Sequence, residues 1–354
     1  MTQILFDTGT AYDFFVSLIV LHDPDSFGLR SQWAAGVRSR LPLPQRNILE
    51  QAALVLPMPL FWLATMESFP RDSAAVLAAL QTLPAAERLP ALAEQPDTDP
   101  ERSRILHAVA AGHKPSQAEL DILKKSHHKG IHSRINERLS ATLVAWSHAT
   151  EFGERLLDGL VAYRSAFFAE EEERIRPSLT AGDERARALA AKLPLEQLVE
   201  DLTQGVRIEA LQSTTQLVLA PSFWSSPLIF YGIDPPRKSV LVYGCRSANQ
   251  GLIPGEQVPA ALVNGLKALG DPTRLKILHY LADAPLTPAE LSRRLRLRPP
   301  TIIHHLQALR LAGLVQISLT AAGERRYSLR RDAPANLLVS LQDFLGQPIG
   351  QEPD

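Results

Sequence analysis

At 354 residues, with 45% hydrophobic and 21% charged side chains, the chain is too apolar to be disordered, lacks the periodic glycine of collagen, and has length for about two or three domains. One cysteine, Cys245, excludes an internal disulfide framework and any cysteine-rich zinc or iron–sulfur centre. The net charge of −1 conceals an asymmetry: residues 258–331 carry twelve Lys and Arg against four Asp and Glu, and the remainder is acidic. That division is expected when one end of a chain meets nucleic acid and the other does not.

Near the start, the apolar run Phe14–Leu21 follows Asp7 and Asp13. It is too short to span a bilayer and has no basic leader, so no membrane association is expected and the cytoplasm is the expected compartment. Prolines at 42, 44, 57, 59, 84, 90, 96 and 100 punctuate helical text. Asp72 ahead of Val76, Leu77 and Leu80 predicts a capped amphipathic helix, and Asp99-Pro100-Glu101 predicts another helix start. A long helical pattern then runs from about Asn136 to Arg176. From Gly205 the period shortens. Val206–Ala210, Gln216–Leu219, Leu228–Tyr231 and Ser239–Tyr243 are predicted strands of a small antiparallel sheet at about 205–243. The expected first domain, residues 1–250, is thus mainly α with a small sheet (α+β), and Arg246–Gly255 reads as a linker.

After the linker the helical period returns. Asp271-Pro272 opens a helix whose apolar side is read as Leu275, Ile277, Leu278 and Leu281. Thr287-Pro288-Ala289-Glu290 is a capping box that opens the next, with Leu291 and Leu295 inside. Arg296–Pro299 links to a third helix, Pro300–Leu311, closed by Gly313. Leu314–Leu319, the turn Ala321-Ala322-Gly323 and Arg325–Leu329 read as a hairpin. Three short helices and a hairpin outline a C-terminal winged helix-turn-helix domain at 256–346.

These residues resemble the ArsR/SmtB-type bacterial repressors. Ala268–Leu278 is similar to the family's first-to-second helix signature, and Glu290–Leu295 to its next helix. Thr301–Leu306 with Ala312–Val315 resembles the recognition helix and its exit, and Gly323–Leu329 the wing. The layout also resembles larger members that carry a long domain ahead of the winged helix, which the segment Ser26–Leu41, with Trp33 and Val37-Arg38, fits. The resemblance implies a transcriptional regulator, a repressor, that binds double-stranded DNA as a homodimer. Dimerisation would use the helix from about Pro259 to Leu269 and the stripe Leu337, Leu341, Phe344 and Leu345. Two-fold symmetry then implies an inverted repeat with half-sites about 10 base pairs, or a multiple, apart. Two features depart from the pattern: Ile303 stands where the family has a small hydroxyl residue, and Pro288–Leu295 holds none of the cysteines used by the metal-sensing branch. Metal sensing there is not carried over.

On a helical wheel Ile302, Leu306 and Leu309 face inward, whereas Pro300, Thr301, His304, Gln307, Ala308 and Leu311 face out. Thr301, His304 and Gln307 are the expected base contacts, since glutamine pairs bidentately with adenine and threonine offers a methyl for thymine. Arg293, Arg294, Arg296 and Arg298, with Arg325 and Arg326 at the wing tip, are the expected phosphate contacts. His305 is read as a packed histidine. Residues 1–250 would sense a small-molecule effector or serve oligomerisation. The alternative from another class is a scaffold whose winged helix docks a partner protein.

Elsewhere the bland readings prevail. His127, His128 and His132 sit among Lys124, Lys125, Lys129 and Arg134, so a solvated basic face is favoured over a metal site. Glu170–Glu173 reads as a solvated helix run, and Trp33, Phe61, Trp62, Trp146 and Trp224 as core. There is no Gly-rich phosphate loop and no Gly-x-Ser-x-Gly elbow, so neither an enzyme nor a cofactor is expected.

Overall fold

A computed structural model of the chain describes residues 2–29, 31–67, 69–125, 135–247, 250–253, 258–320 and 324–346. Strand β1 (Gln3–Phe6) leads into a helical body: α1 (Ala11–His22), α2 (Ser31–Ser39), α3 (Leu43–Val55), α4 (Leu60–Thr65), α5 (Ser73–Thr82), α6 (Ala85–Ala93), α7 (Pro100–Ala110), α8 (Gln117–Lys125), α9 (Ile135–Ser147), α10 (Ala149–Tyr163), α11 (Ala169–Ala190) and α12 (Leu195–Leu202). Four strands follow, β2 (Val206–Ile208), β3 (Gln216–Ser222), β4 (Phe230–Ile233) and β5 (Lys238–Gly244). The C-terminal region comprises α13 (Ala260–Leu269), α14 (Pro272–Asp283), α15 (Pro288–Leu295), α16 (Pro299–Leu311), β6 (Val315–Leu319), β7 (Arg325–Leu329) and α17 (Ala333–Gly346).

Caps and breaks follow from local chemistry. Asp72 accepts from the Ala75 amide at 2.8 Å to start α5, and Asp99 accepts from the Glu101 amide at 2.9 Å ahead of Pro100 in α7. The single helical pattern read over Asn136–Arg176 is divided. His148, at φ −126°, separates α9 from α10, and a π-helical turn, Arg164–Phe168, joins α10 to α11. The wider turn brings both Tyr163 and Phe168 onto Phe14, with ring centroids 5.7 and 5.0 Å away.

The body's sheet is mixed, which corrects the antiparallel expectation. Its order is β1-β3-β5-β4, with β1, β3 and β5 parallel and β4 antiparallel to β5. Two facts hid this from the local pattern. β1 lies at the other end of the body's sequence from its partner, and β3 and β5 are buried on both faces, as parallel strands under helices are. Val218, Ala220, Val240 and Val242 enter the main helical core with Trp146, Trp224 and Phe61. Their neighbours Leu217, Leu219, Leu241 and Tyr243 enter a second core.

That second core reaches into the C-terminal region. It takes Ala186 of α11, Leu198, Val199 and Leu202 of α12, Val206 and Ile208 of β2, and Ile317 and Leu319 of β6. β2 is not a strand of the body's sheet. It pairs in parallel with β6, with Val206 opposite Ile317 and Ile208 opposite Leu319, giving a three-stranded sheet β2-β6-β7. A third core, Ile277, Leu278, Leu281, Leu291, Ile302, Leu306 and Leu309 among others, holds α14, α15 and α16 together. Among the described residues, no helix is long and apolar enough to cross a membrane.

Candidate nucleic-acid interface

The helix-turn-helix is set by its caps. The Asp271 carboxylate accepts from the amides of Thr273 (2.8 Å) and Arg274 (3.0 Å), which holds its pKa below the usual carboxylate range. At the next helix, the Glu290 amide donates to Thr287 Oγ1 (3.2 Å) and the Thr287 amide donates to Glu290 Oε2 (2.7 Å), completing the capping box. α15 ends at Arg296, whose φ of 55° is left-handed. The Leu297 amide donates to the Ser292 carbonyl at 3.2 Å, and the Ser292 hydroxyl to the Leu297 carbonyl. This turn aims α16 across α15. Gly313, at φ +67°, then reverses the chain into β6.

Within α16, Ile302, Leu306 and Leu309 are buried in the third core. Thr301, His304 and Gln307 are exposed on the opposite side, together with Pro300 and Ile303. Ala308 and Leu311, read as outward, are half-buried. Leu275 corrects the sequence reading more sharply: it is 48% exposed, while Ile277, Leu278 and Leu281 carry the packing of α14. The half-buried His305 has its pKa lowered by burial, against the pull of Asp271.

Arg293, Arg294, Arg296 and Arg298 are all exposed along α15 and the turn. Arg294 lies over the Tyr280 ring, 5.6 Å from its centroid. Arg293, Arg296 and Arg298 make no ion pair among the described residues. The wing strands pair in antiparallel from Val315 opposite Leu329 to Leu319 opposite Arg325, and Leu286 exchanges two 2.8 Å backbone hydrogen bonds with Tyr327 at the sheet's other edge. Arg325 is exposed. Arg326 is not equivalent to it: its Nε donates to Glu324 at 2.9 Å, and Glu290 lies 3.9 Å from its Nη1. The turn Ala321-Ala322-Gly323 lies outside the described residues, as do His127, His128 and His132.

The flanking helices pack on each other, with Gly265 of α13 leaving no space for a Cβ beside Leu337 of α17. Leu337, Leu341 and Phe344 are half-buried, whereas Leu266, Leu338, Val339 and Leu345 remain exposed, Leu345 at 72%. Leu345 belongs to the stripe read in the sequence, whereas the exposed Leu266, Leu338 and Val339 add to it.

Sequence reasoning missed how the body holds this region. The wing strand β6 is paired to β2, and Gly205, at φ +99°, accepts from the Ile317 amide at 3.2 Å. Arg310, on the inner side of α16, is held below the usual arginine range by burial, opposed by Tyr327 of the wing; Tyr231 of the body acts in the same sense. At a second point, Asn264 of α13 sits against Gly28 of the body. The alternation at Val206–Ile208 marked a strand, but nothing local named its partner.

Residues 271–316 match the family described as bacterial regulatory protein, arsR family. Among solved structures, the crystal structure of NolR from Sinorhizobium fredii is 28% identical, over a match covering 28% of this chain and 99% of that chain, with a TM-score of 0.21. A comparison with curated proteins returns no match.

Proposed function

We propose that this chain, which carries an arsR-family regulatory segment at residues 271–316, is a transcriptional regulator that reads duplex DNA with α16 and is governed by the body ahead of it. One observation carries the reading. Thr301, His304 and Gln307 share the exposed face of a helix whose other face is core, and the exposed Arg293, Arg294, Arg296, Arg298 and Arg325 belong to the end of α15, the turn that follows it and the wing. A polar helix face flanked by cations suits a major groove between two phosphate backbones.

In this reading residues 256–346 are the DNA-binding domain and residues 1–250 the sensing body, joined through β2 and β6. Two copies associate through α13 and α17, whose exposed Leu266, Leu338, Val339 and Leu345 are covered in the dimer. The dimer occupies an inverted repeat with half-sites about 10 base pairs, or a multiple, apart, and represses by excluding polymerase. The work is binding, in the cytoplasm where the DNA is, and it calls on no catalytic group.

Selection of bound duplexes from a random pool, followed by gel-shift titration of the winner at several salt concentrations, tests this directly. An inverted repeat bound with a steep loss of affinity at higher salt is expected. Failure to enrich any sequence, together with passage through a heparin column at low salt, sinks the reading.

A further inference from the structure

A niche of about 10 Å³ opens at the seam between the body and the winged helix. The body lines it with Thr203 and Gln204, which lead into β2, and with Val206 and Pro227. The winged helix lines it with Arg310 and Gly313 at the end of α16, Val315 and Ile317 of β6, and Arg330. Among the described residues its wall holds two arginines and no carboxylate.

Arg330 spans the seam. A Cβ on Gly205 of the body would stand 3.7 Å from its Cδ, and one on Gly313 would stand 3.8 Å from its Nη1. Its ion pair among the described residues is long, 3.8 Å to the exposed Asp332. Arg310 has less. The half-buried side chain makes neither an ion pair nor a hydrogen bond among the described residues. Burial pulls its pKa below the usual arginine range; Tyr327 of the wing and Tyr231 of the body oppose this, and Arg325 adds to it. The relief it has thus comes from phenols, which are neutral near pH 7.

The other polar groups of the niche differ in availability. Thr203 is engaged inside the body, where its hydroxyl donates to the Val199 carbonyl at 2.6 Å and accepts from the Val206 amide at 3.0 Å. Gln204 is exposed, and its side chain makes no hydrogen bond among the described residues. A guanidinium withdrawn from water without a counter-charge costs free energy that an anion recovers. Arginine's planar fork offers paired donors to an oxyanion, a match that a spherical halide lacks. The volume admits about one water-sized group, so one oxygen enters and the rest of the anion stays at the rim. Arg310 lies toward Tyr231 of the body, away from the surface that carries Thr301 and His304, so the anion is a free one.

We propose that this niche is a phosphate site, in which Arg310 and Arg330 hold the phosphate group of a small anion with Gln204 at its rim, and that the bound anion clamps the winged helix to the body. The site goes beyond the DNA reading proposed above and does not rest on it.

Inorganic phosphate and methyl phosphate, each titrated into the full-length protein at constant ionic strength with gluconate as the balancing anion, test the site. The readouts are the amide chemical shifts of Gly205, Gly313 and Ile317. Saturation below about 10 mM by at least one of the two is expected, and the tighter one identifies the source as the free ion or a phosphomonoester. Arg310→Gln and Arg330→Gln are each expected to weaken it at least about tenfold, so one variant suffices if the other does not fold. Arg298→Gln, at an exposed residue outside the niche, should leave it unchanged. Hydrogen exchange of the Ile317 amide, which donates to the Gly205 carbonyl, reads the clamp. An anion bound only to the closed joint should slow that exchange by up to about tenfold for each tenfold rise in phosphate above its dissociation constant. No saturation below about 10 mM by either anion overturns the site. So does binding that neither niche variant weakens, or that Arg298→Gln weakens equally. Saturation with Ile317 exchange unchanged overturns the clamp. None of these measurements uses DNA, so their failure leaves the function proposed above standing, and failure to bind DNA leaves the site standing.

Discussion

Ile208 of the body and Leu319 of the wing are register partners in one parallel ladder, and both side chains enter the core that also holds Leu219 and Leu241 of the central sheet. The wing is therefore an outer strand pair of the body as much as a part of the winged helix. Pairing β6 with β2 also covers a backbone edge that a free hairpin would leave open.

Gly205 is the point at which this joint can be opened without touching the third core. Its φ is +99°, and a Cβ there would stand 2.7 Å from Gln316 Cβ. Gly205→Ala is expected to cost about 1–3 kcal/mol, from backbone strain together with that contact. The Ile317 amide, which donates to the Gly205 carbonyl, should lose hydrogen-exchange protection first. Amides of α14–α16 should keep theirs. Equal loss in both places would mean that body and winged helix unfold as one unit.

The arginines separate into two groups by their partners. Arg298→Ala, at an exposed residue without an ion pair among the described residues, should weaken binding to all duplexes alike and reduce the salt slope by about one. Arg326 is already engaged by Glu324 and Glu290, so Arg326→Ala should cost less. Glu324→Ala should do the reverse and tighten binding by releasing that guanidinium. Gel-shift titration from low to moderate salt reads all three, and identical slopes would remove the phosphate assignment.

Gln307→Ala should behave differently from either group. The side chain is exposed one turn after His304 on α16, where a bidentate contact to adenine distinguishes one base pair. A loss of about 1–3 kcal/mol on the selected duplex, with little loss on a duplex changed at that base pair, is expected. Uniform weakening on both would place Gln307 on a phosphate.

What could be read from the sequence divides along the distance between partners. Asp271-Pro272 and the Thr287/Glu290 box act within one helical turn, so residue types alone locate α14 and α15. The inward set Ile302, Leu306 and Leu309 follows from the 3.6-residue period. Leu275 was misplaced because residues at the edge of an apolar arc are assigned by their neighbours, and Ile277, Leu278 and Leu281 suffice to fill the space below α14. β1 and the β2–β6 pairing were out of reach for a different reason. A short strand carries little pattern of its own, and its partner is chosen by packing among residues remote in the chain.

The acidity of the buried Asp13 offers a test of the body. Its Oδ1 accepts from Ser222 Oγ (2.6 Å) and the Trp224 amide (2.9 Å), its Oδ2 accepts from the Phe223 amide (3.0 Å), and together they fix the turn leaving β3. Burial nevertheless pushes its pKa up to about 6, and the Glu171 carboxylate adds to this while the three donors oppose it. Between the ordinary value near 4 and about 6, the folded protein holds a proton that the unfolded chain has released. Asp13's contribution to stability is therefore fully present below that range and declines as pH rises through it, by at most about 1.4 kcal/mol per pH unit. Asp13→Asn cannot release this proton, so its unfolding free energy should lack that decline. It should also lose one backbone acceptor, at a cost on the order of 1–3 kcal/mol, because its amide nitrogen cannot accept. Denaturant unfolding of both proteins between pH 4 and pH 8 should show the wild type's advantage shrinking as pH rises; curves that run parallel would mean that Asp13 stays ionised throughout, with its three donors outweighing burial.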